Sequence, residues 1–172
     1  MDLDSPVATL LSAFWRICCL RLRPQDLPRS SVLLSLTVGT NTLFSTLINQ
    51  VSNPLTAALR MAVLEMLVLL GLTSALLYAF SRTPRIAQTV TALMGTGALI
   101  GGLVFLSMVL IPALPQALHL AIFLWNLLVI AHVLRHALDT RFIVGMLLAI
   151  GYAFFLTQLE VFVNNLVGGA PT

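Results

Sequence analysis

Charge is the first thing this 172-residue chain has little of. Only 9% of its residues are charged, and lysine is absent: all nine basic residues are arginine, set against six acidic ones. A soluble core of this size needs a polar skin. A chain that is 59% hydrophobic with a mean hydropathy of +1.01 cannot supply one, so composition places it in lipid. Cysteine is as sparse. The two present, Cys18 and Cys19, are neighbours, which excludes a disulfide framework and does not match the CxxC spacing of redox or zinc sites. No HExxH pair, phosphate-cradling glycine loop or Ser/His/Asp set can be read either, so no catalytic residue and no cofactor is assigned. The N-terminus opens on Asp2 and Asp4 instead of a basic segment and offers no clean small-residue cleavage site, so signal-peptide cleavage is not expected.

What is there in quantity is apolar length. A span needs about 20 apolar residues, and five stretches reach it: about 31–50, 55–80, 84–111, 115–138 and 141–166. Asn53-Pro54 separates the first two, Thr83-Pro84 caps the third, Pro112 and Pro115 bracket a short turn, and Asp139-Thr140 joins the last pair. Before them, Ser5 as N-cap and Pro6 at the first helical position start a helix. Val7, Leu10, Leu11, Phe14 and Cys18 recur on one of its faces, which reads as an interfacial amphipathic helix. The segment RLRPQDLPR then forms a basic hinge. The expected architecture is an all-α membrane protein of five transmembrane helices preceded by an interfacial helix, with residues 1–30 cytoplasmic and 31–172 a single membrane domain.

The arginines give the orientation. With the N-terminus inside, Arg16, Arg21, Arg23, Arg29, Arg82, Arg85, Arg135 and Arg141 all lie on the inner face, leaving only Arg60 outside. This bias predicts an N-in, C-out topology in which these residues anchor the cytoplasmic face. It also explains the formal net charge of +3 without a nucleic-acid partner. At about 1.5 Å of rise per residue, Glu65 lies roughly 25 Å from Arg82 and Glu160 roughly 28 Å from Arg141. Both are therefore expected at the outer interface with Arg60 and His119, as a polar cluster in which Arg60 pairs with a carboxylate. Asn41, Thr96, Asn126 and Tyr152 fall at mid-depth, where interhelical hydrogen bonds set register. No titratable group is expected near the midplane. Gly97-x-x-x-Gly101 marks a close helix–helix approach, with Gly145 and Ala149 as its expected partner seam.

One face of the fourth span carries His132, His136 and Asp139, a spacing suited to zinc or iron. Arg135 beside that face would repel a cation, and no second histidine pair exists. The preferred reading is a helix-end anchor in which His136 or Arg135 pairs with Asp139; the metal reading keeps these three residues as its candidates.

Five spans, an amphipathic N-terminal segment, a proline-rich entry to the first span and the pattern WNLLVIAHVLRHALDTRFIVGMLLAIGY give the chain an architecture that resembles bacterial relatives of the Yip (Ypt-interacting protein) membrane family. The resemblance implies an inner-membrane protein. Eukaryotic members of that family bind small prenylated GTPases, but the long polar N-terminal region they carry is absent here, and no functional residue transfers. The expected function is therefore non-enzymatic: a scaffold or accessory subunit whose partners are the bilayer and other integral membrane proteins or a second copy. One alternative is a small-solute channel, transporter or transporter subunit with its path along the mid-depth polar layer. Another is a lipid-modifying or metal-dependent membrane enzyme centred on Glu65 and Glu160 or on the histidine pair.

Overall fold

The computed structural model describes residues 6–111 and 115–168; residues 1–5, 112–114 and 169–172, and with them the expected Ser5 cap and Pro112, lie outside the described residues. The described chain is all helical. It runs α1 (Pro6–Cys18), α2 (Ser31–Asn49), α3 (Leu55–Ala79), α4 (Ile86–Leu110), α5 (Gln116–Leu138) and α6 (Phe142–Gly168), with single 3-10 turns at 24–26 and 83–85. Helices α2 to α6 are long and apolar enough to cross a membrane, and α1 is a shorter apolar helix. The helices are separated at 50–54, 80–85 and 139–141, but Thr83 does not cap the third span: residues 83–85 form a 3-10 turn and α4 starts at Ile86 with Arg85 at its N-cap position. Ser30 caps α2 by accepting from the Leu33 amide at 3.3 Å. The ends of α1, α3 and α5 turn through left-handed residues, Leu20, Ser81 and Asp139, after which the amides of Arg21, Arg82 and Thr140 bond back to Arg16, Leu77 and Arg135.

Packing is centred on α4. Every residue from Gln88 to Thr96 is buried, which a helix sustains only when neighbours cover it on all sides. Helix α2 lies flush against it through the predicted glycines. Where Gly97 would carry a Cβ, Asn41 Oδ1 is 2.5 Å away; Gly101 faces Phe44 and Ile48, and Gly102 faces the Phe44 ring. The partner of this seam is therefore α2, not the Gly145 and Ala149 stretch. Gly145 instead sits on α5, against the Ala131 carbonyl and Arg135. Two tight pairs result, α2–α4 and α5–α6, with α3 closing more loosely between α2 and α6.

Helix α1 packs along the middle of α4 and α5. The face expected from its sequence divides: Phe14 and Cys18 are buried, Leu10 is half-buried, and Val7 and Leu11 are exposed, while Ile17 joins the core. The Phe14 ring occupies the space left by Gly95. Burial pushes the Cys18 thiol up to about 12, with Cys19 adding to the effect. The irregular backbone that follows has its carbonyls satisfied by side chains of the spans. Trp125 Nε1 donates to Cys18 O (2.9 Å), the His132 ring contacts Leu22 O (3.0 Å), and Gln88 Nε2 donates to Gln25 O (2.9 Å) and Leu27 O (2.8 Å). Non-helical backbone alongside membrane helices persists only when protein supplies these bonds.

Candidate functional site

Two tight helix pairs and a loosely set α3 leave a void between them. It has a volume of about 720 Å³ and is bounded by α2 to α6. Its wall is mostly Leu, Ile, Val and Phe, and its polar groups are few: Asn41, Glu65, Thr73, His119, Asn126 and Tyr152. A single buried water needs on the order of 10–15 Å³ of such space, so this is far larger than a structural water site. It falls inside the range of ligand pockets, about 300–1,000 Å³. The side-chain amides of Asn41 and Asn126 make no hydrogen bond among the described residues, although both line the void. Three of the four residues of the predicted mid-depth layer are thus brought together. The fourth, Thr96, is buried elsewhere in α4 and spends its hydroxyl on its own helix, donating to Ala92 O (2.8 Å). Most threonines of the bundle do the same.

The expected outer cluster is rearranged. Helix α3 begins at Leu55, so Glu65 sits roughly 15 Å inside that end of the helix and about 21 Å from the other. This places a titratable group in the body of a span, where none was expected near mid-depth. The Glu65 carboxylate accepts from the Ser45 hydroxyl of α2 and lies within electrostatic reach of Glu160 of α6. Tyr152 lies within electrostatic reach of it. Arg60 is exposed and forms no ion pair among the described residues, so the expected Arg60–carboxylate pair is not present. The rise of the helix explains the correction: Arg60 and Glu65 are five residues apart, about 140° around the helix, and face different ways. His119 is exposed and lines the mouth of the void. Glu160 lines a smaller space of about 190 Å³ that shares Phe123, Asn126, Ile130, Tyr152 and Leu156 with the main one.

At the opposite end, Arg23, Arg29, Arg82, Arg85, Arg135 and Arg141 gather around the ends of α3 and α5 and the starts of α2, α4 and α6. Arg21 is exposed just after α1. Asp139 is paired, but with Arg85 (2.9 Å) and Arg82 (3.1 Å) rather than with Arg135 or His136. The left-handed backbone of Asp139 turns its carboxylate away from its own helix and toward the start of α4. Arg85 also donates to the last carbonyls of α5, His136 O and Ala137 O, a favourable place for a cation. Arg135 meets His136 at 3.2 Å and lies over the Phe142 ring, 5.4 Å from its centroid. The rings of His132 and His136 pack edge-on at 4.6 Å, yet His132 is turned to Leu22 O and Asp139 to arginine. The three metal candidates therefore face three different partners, and no group of three potential ligands converges among the described residues.

The Arg85 hydrogen bond, and then the charges of Arg85 and Arg82, hold the Asp139 carboxyl below its ordinary 3.8. A depressed value in the fold means that its contribution is complete above that ordinary value and fades as pH falls below it. The wild type is expected to lose more thermal stability than Asp139→Asn between about pH 5 and about pH 3. Asparagine suits the left-handed backbone, so the substitution isolates the charge. Equal losses in a detergent-solubilised unfolding series would show that the pair contributes nothing.

Five long apolar helices set around a half-open cavity define a multi-pass integral membrane protein in contact with lipid. No protein family, curated protein or solved structure matches the chain.

Proposed function

We propose that the chain is a carrier or path for a small, largely apolar molecule that occupies the central cavity. One observation carries this reading: an apolar void of about 720 Å³ into which Asn41 and Asn126 present unpaired amides. Apolar walls with a few placed polar groups are what a small-molecule site requires. A scaffold or accessory subunit is favoured less, because the exposed apolar side chains are spread over every span, as lipid contact requires, and single out no docking face. An enzyme reading would rest on the Ser45 hydroxyl that donates to Glu65, and no converging set of metal ligands accompanies it among the described residues. We place the arginine-rich end at the cytoplasmic side of a bacterial inner membrane, following the arginine bias.

Gly151 supplies the test. It lines the cavity, and a Cβ built there meets nothing within 4 Å. Gly151→Phe therefore fills the cavity without displacing a helix. In nanodiscs, saturable binding of radiolabelled triphenylphosphine oxide, a neutral aromatic, should fall at least about tenfold in the variant, with thermal stability unchanged. Equal binding by the two proteins would remove the cavity as the site.

A further inference from the structure

The void is not uniform along the helix axes. We infer that its preferred occupant is an uncharged lipid, which lays one alkyl chain in the half nearer the arginines and sets a hydrogen-bonding head between Asn41 and Asn126. This deepens the cavity reading and rests on it.

Measured along each helix from the arginine-rich end, the wall has two parts. Within about 11 Å of that end it is Leu72, Leu76, Leu93, Leu134, Leu147 and Leu148, with the buried Thr73 as its one polar residue. Asn41, Tyr152, Asn126 and Glu65 follow at roughly 15–21 Å, and His119 at roughly 28 Å. A molecule that matches this wall is apolar for most of its length and polar at one end. The lining runs from Leu76 to Glu65 on α3 and from Leu93 to Val104 on α4, roughly 16 Å on each. That is close to one leaflet of hydrocarbon, half of a core about 30 Å thick, and so to the reach of a membrane lipid's own chain.

The void opens where such a molecule resides. Leu72 of α3 and Leu147, Gly151 and Phe155 of α6 line it and are exposed. The three on α6 are four residues apart and share one face, and α3 meets α6 only loosely. They lie roughly 8–20 Å from the arginine-rich end, in the body of the spans. An opening at that depth meets acyl chains instead of water. Phe123 and His119 of α5 are also exposed and lie nearer the other surface, where lipid heads travel. The head must form hydrogen bonds, because plain hydrocarbon would leave both asparagine amides without a partner, whereas a hydroxyl both donates and accepts. A phosphate or ionised carboxylate would find no counter-ion beside them. No arginine lines the void, and His119 lies roughly 10 Å beyond Asn126 along α5.

The test uses the full chain in phosphatidylcholine nanodiscs that carry a trace of monoacylglycerol with a photoreactive diazirine at its chain end. Illumination should label the inner wall at Leu134 or Leu148, read by peptide mass spectrometry. Ordinary monooleoylglycerol should suppress that labelling at a mole fraction at least about tenfold below octadecane, which has no head, or oleoyl lysophosphatidate, whose head is charged. Asn41→Leu with Asn126→Leu should bring monooleoylglycerol level with octadecane; if that variant fails to fold, the order of competitors in the wild type decides alone. Gly151→Phe should lose labelling at least about tenfold with thermal stability unchanged. Label confined to outward residues such as Leu103 and Leu106 overturns the inference. So does octadecane or lysophosphatidate competing as well as monooleoylglycerol, a folded double variant that keeps the wild-type preference, or full labelling of Gly151→Phe. In each of these cases, triphenylphosphine oxide binding that Gly151→Phe abolishes leaves the cavity reading standing. If neither that binding nor labelling of the inner wall is seen, both readings fall.

Discussion

Gly145→Val is expected to destabilise the bundle by about 3 kcal/mol or more. The reason is what the new side chain would meet. At Gly145 the first added carbon collides with the Ala131 carbonyl oxygen of α5, and the Arg135 backbone nitrogen and Cβ lie just beyond. A flexible side chain can rotate aside, but a backbone carbonyl moves only with its helix. The α5–α6 pair must then separate, and in lipid there is no apolar driving force to compensate, since helix association there rests on close packing itself. The comparison is internal. Gly39→Ala and Gly71→Ala, where a Cβ meets nothing within 4 Å, should change stability by less than about 1 kcal/mol and in the favourable direction. Thermal unfolding in detergent across these variants would refute the seam if Gly145→Val behaved like the other two.

Gln88→Leu should have a comparable effect through a different mechanism. One amide holds three parts of the N-terminal segment: its nitrogen donates to Gln25 O and Leu27 O, and its oxygen accepts from Arg29 Nε at 3.2 Å. Leucine preserves volume and leaves both carbonyls without their donor. Each unsatisfied buried group costs about 1–3 kcal/mol, so a total of about 2–6 kcal/mol is expected for the two. The loss should be local in origin. Hydrogen exchange over residues 19–30 should rise before that of α4, and Trp125→Phe, which strips a donor from Cys18 O alone, should cost less. Exchange that rose uniformly, or a Gln88→Leu protein as stable as wild type, would show that Gln88 does not fasten this segment.

The Gly145 variant bears on the cavity as well. The α2–α4 and α5–α6 seams are tight because glycine lets the helices approach, and the void exists because α3 and α6 lack such a seam. Glu65 and Glu160 meet across that loose contact, with Ser45 of α2 as a third partner. A side chain that widened the α5–α6 seam would therefore disturb the carboxyl pair as well as the fold.

The sequence by itself determined the number of long apolar helices and the shorter helix that precedes them. These are local properties: apolar length and a proline or Asp-Thr break are each read within a few residues. It also determined that Gly97 and Gly101 mark a close approach, since small residues one turn apart have few other uses in a span. Tertiary structure alone decided which helix each glycine meets, that Asp139 pairs with Arg82 and Arg85, and that Arg60 leaves Glu65 to Ser45 and Glu160. The physical reason is that α3 to α6 are apolar on nearly every side. In a soluble helix the polar face marks which way the helix turns, but in a span apolar all round that mark is missing, and rotation is set by packing against neighbours distant in sequence. The cavity follows from those rotations, so it became visible only when the five helices were assembled.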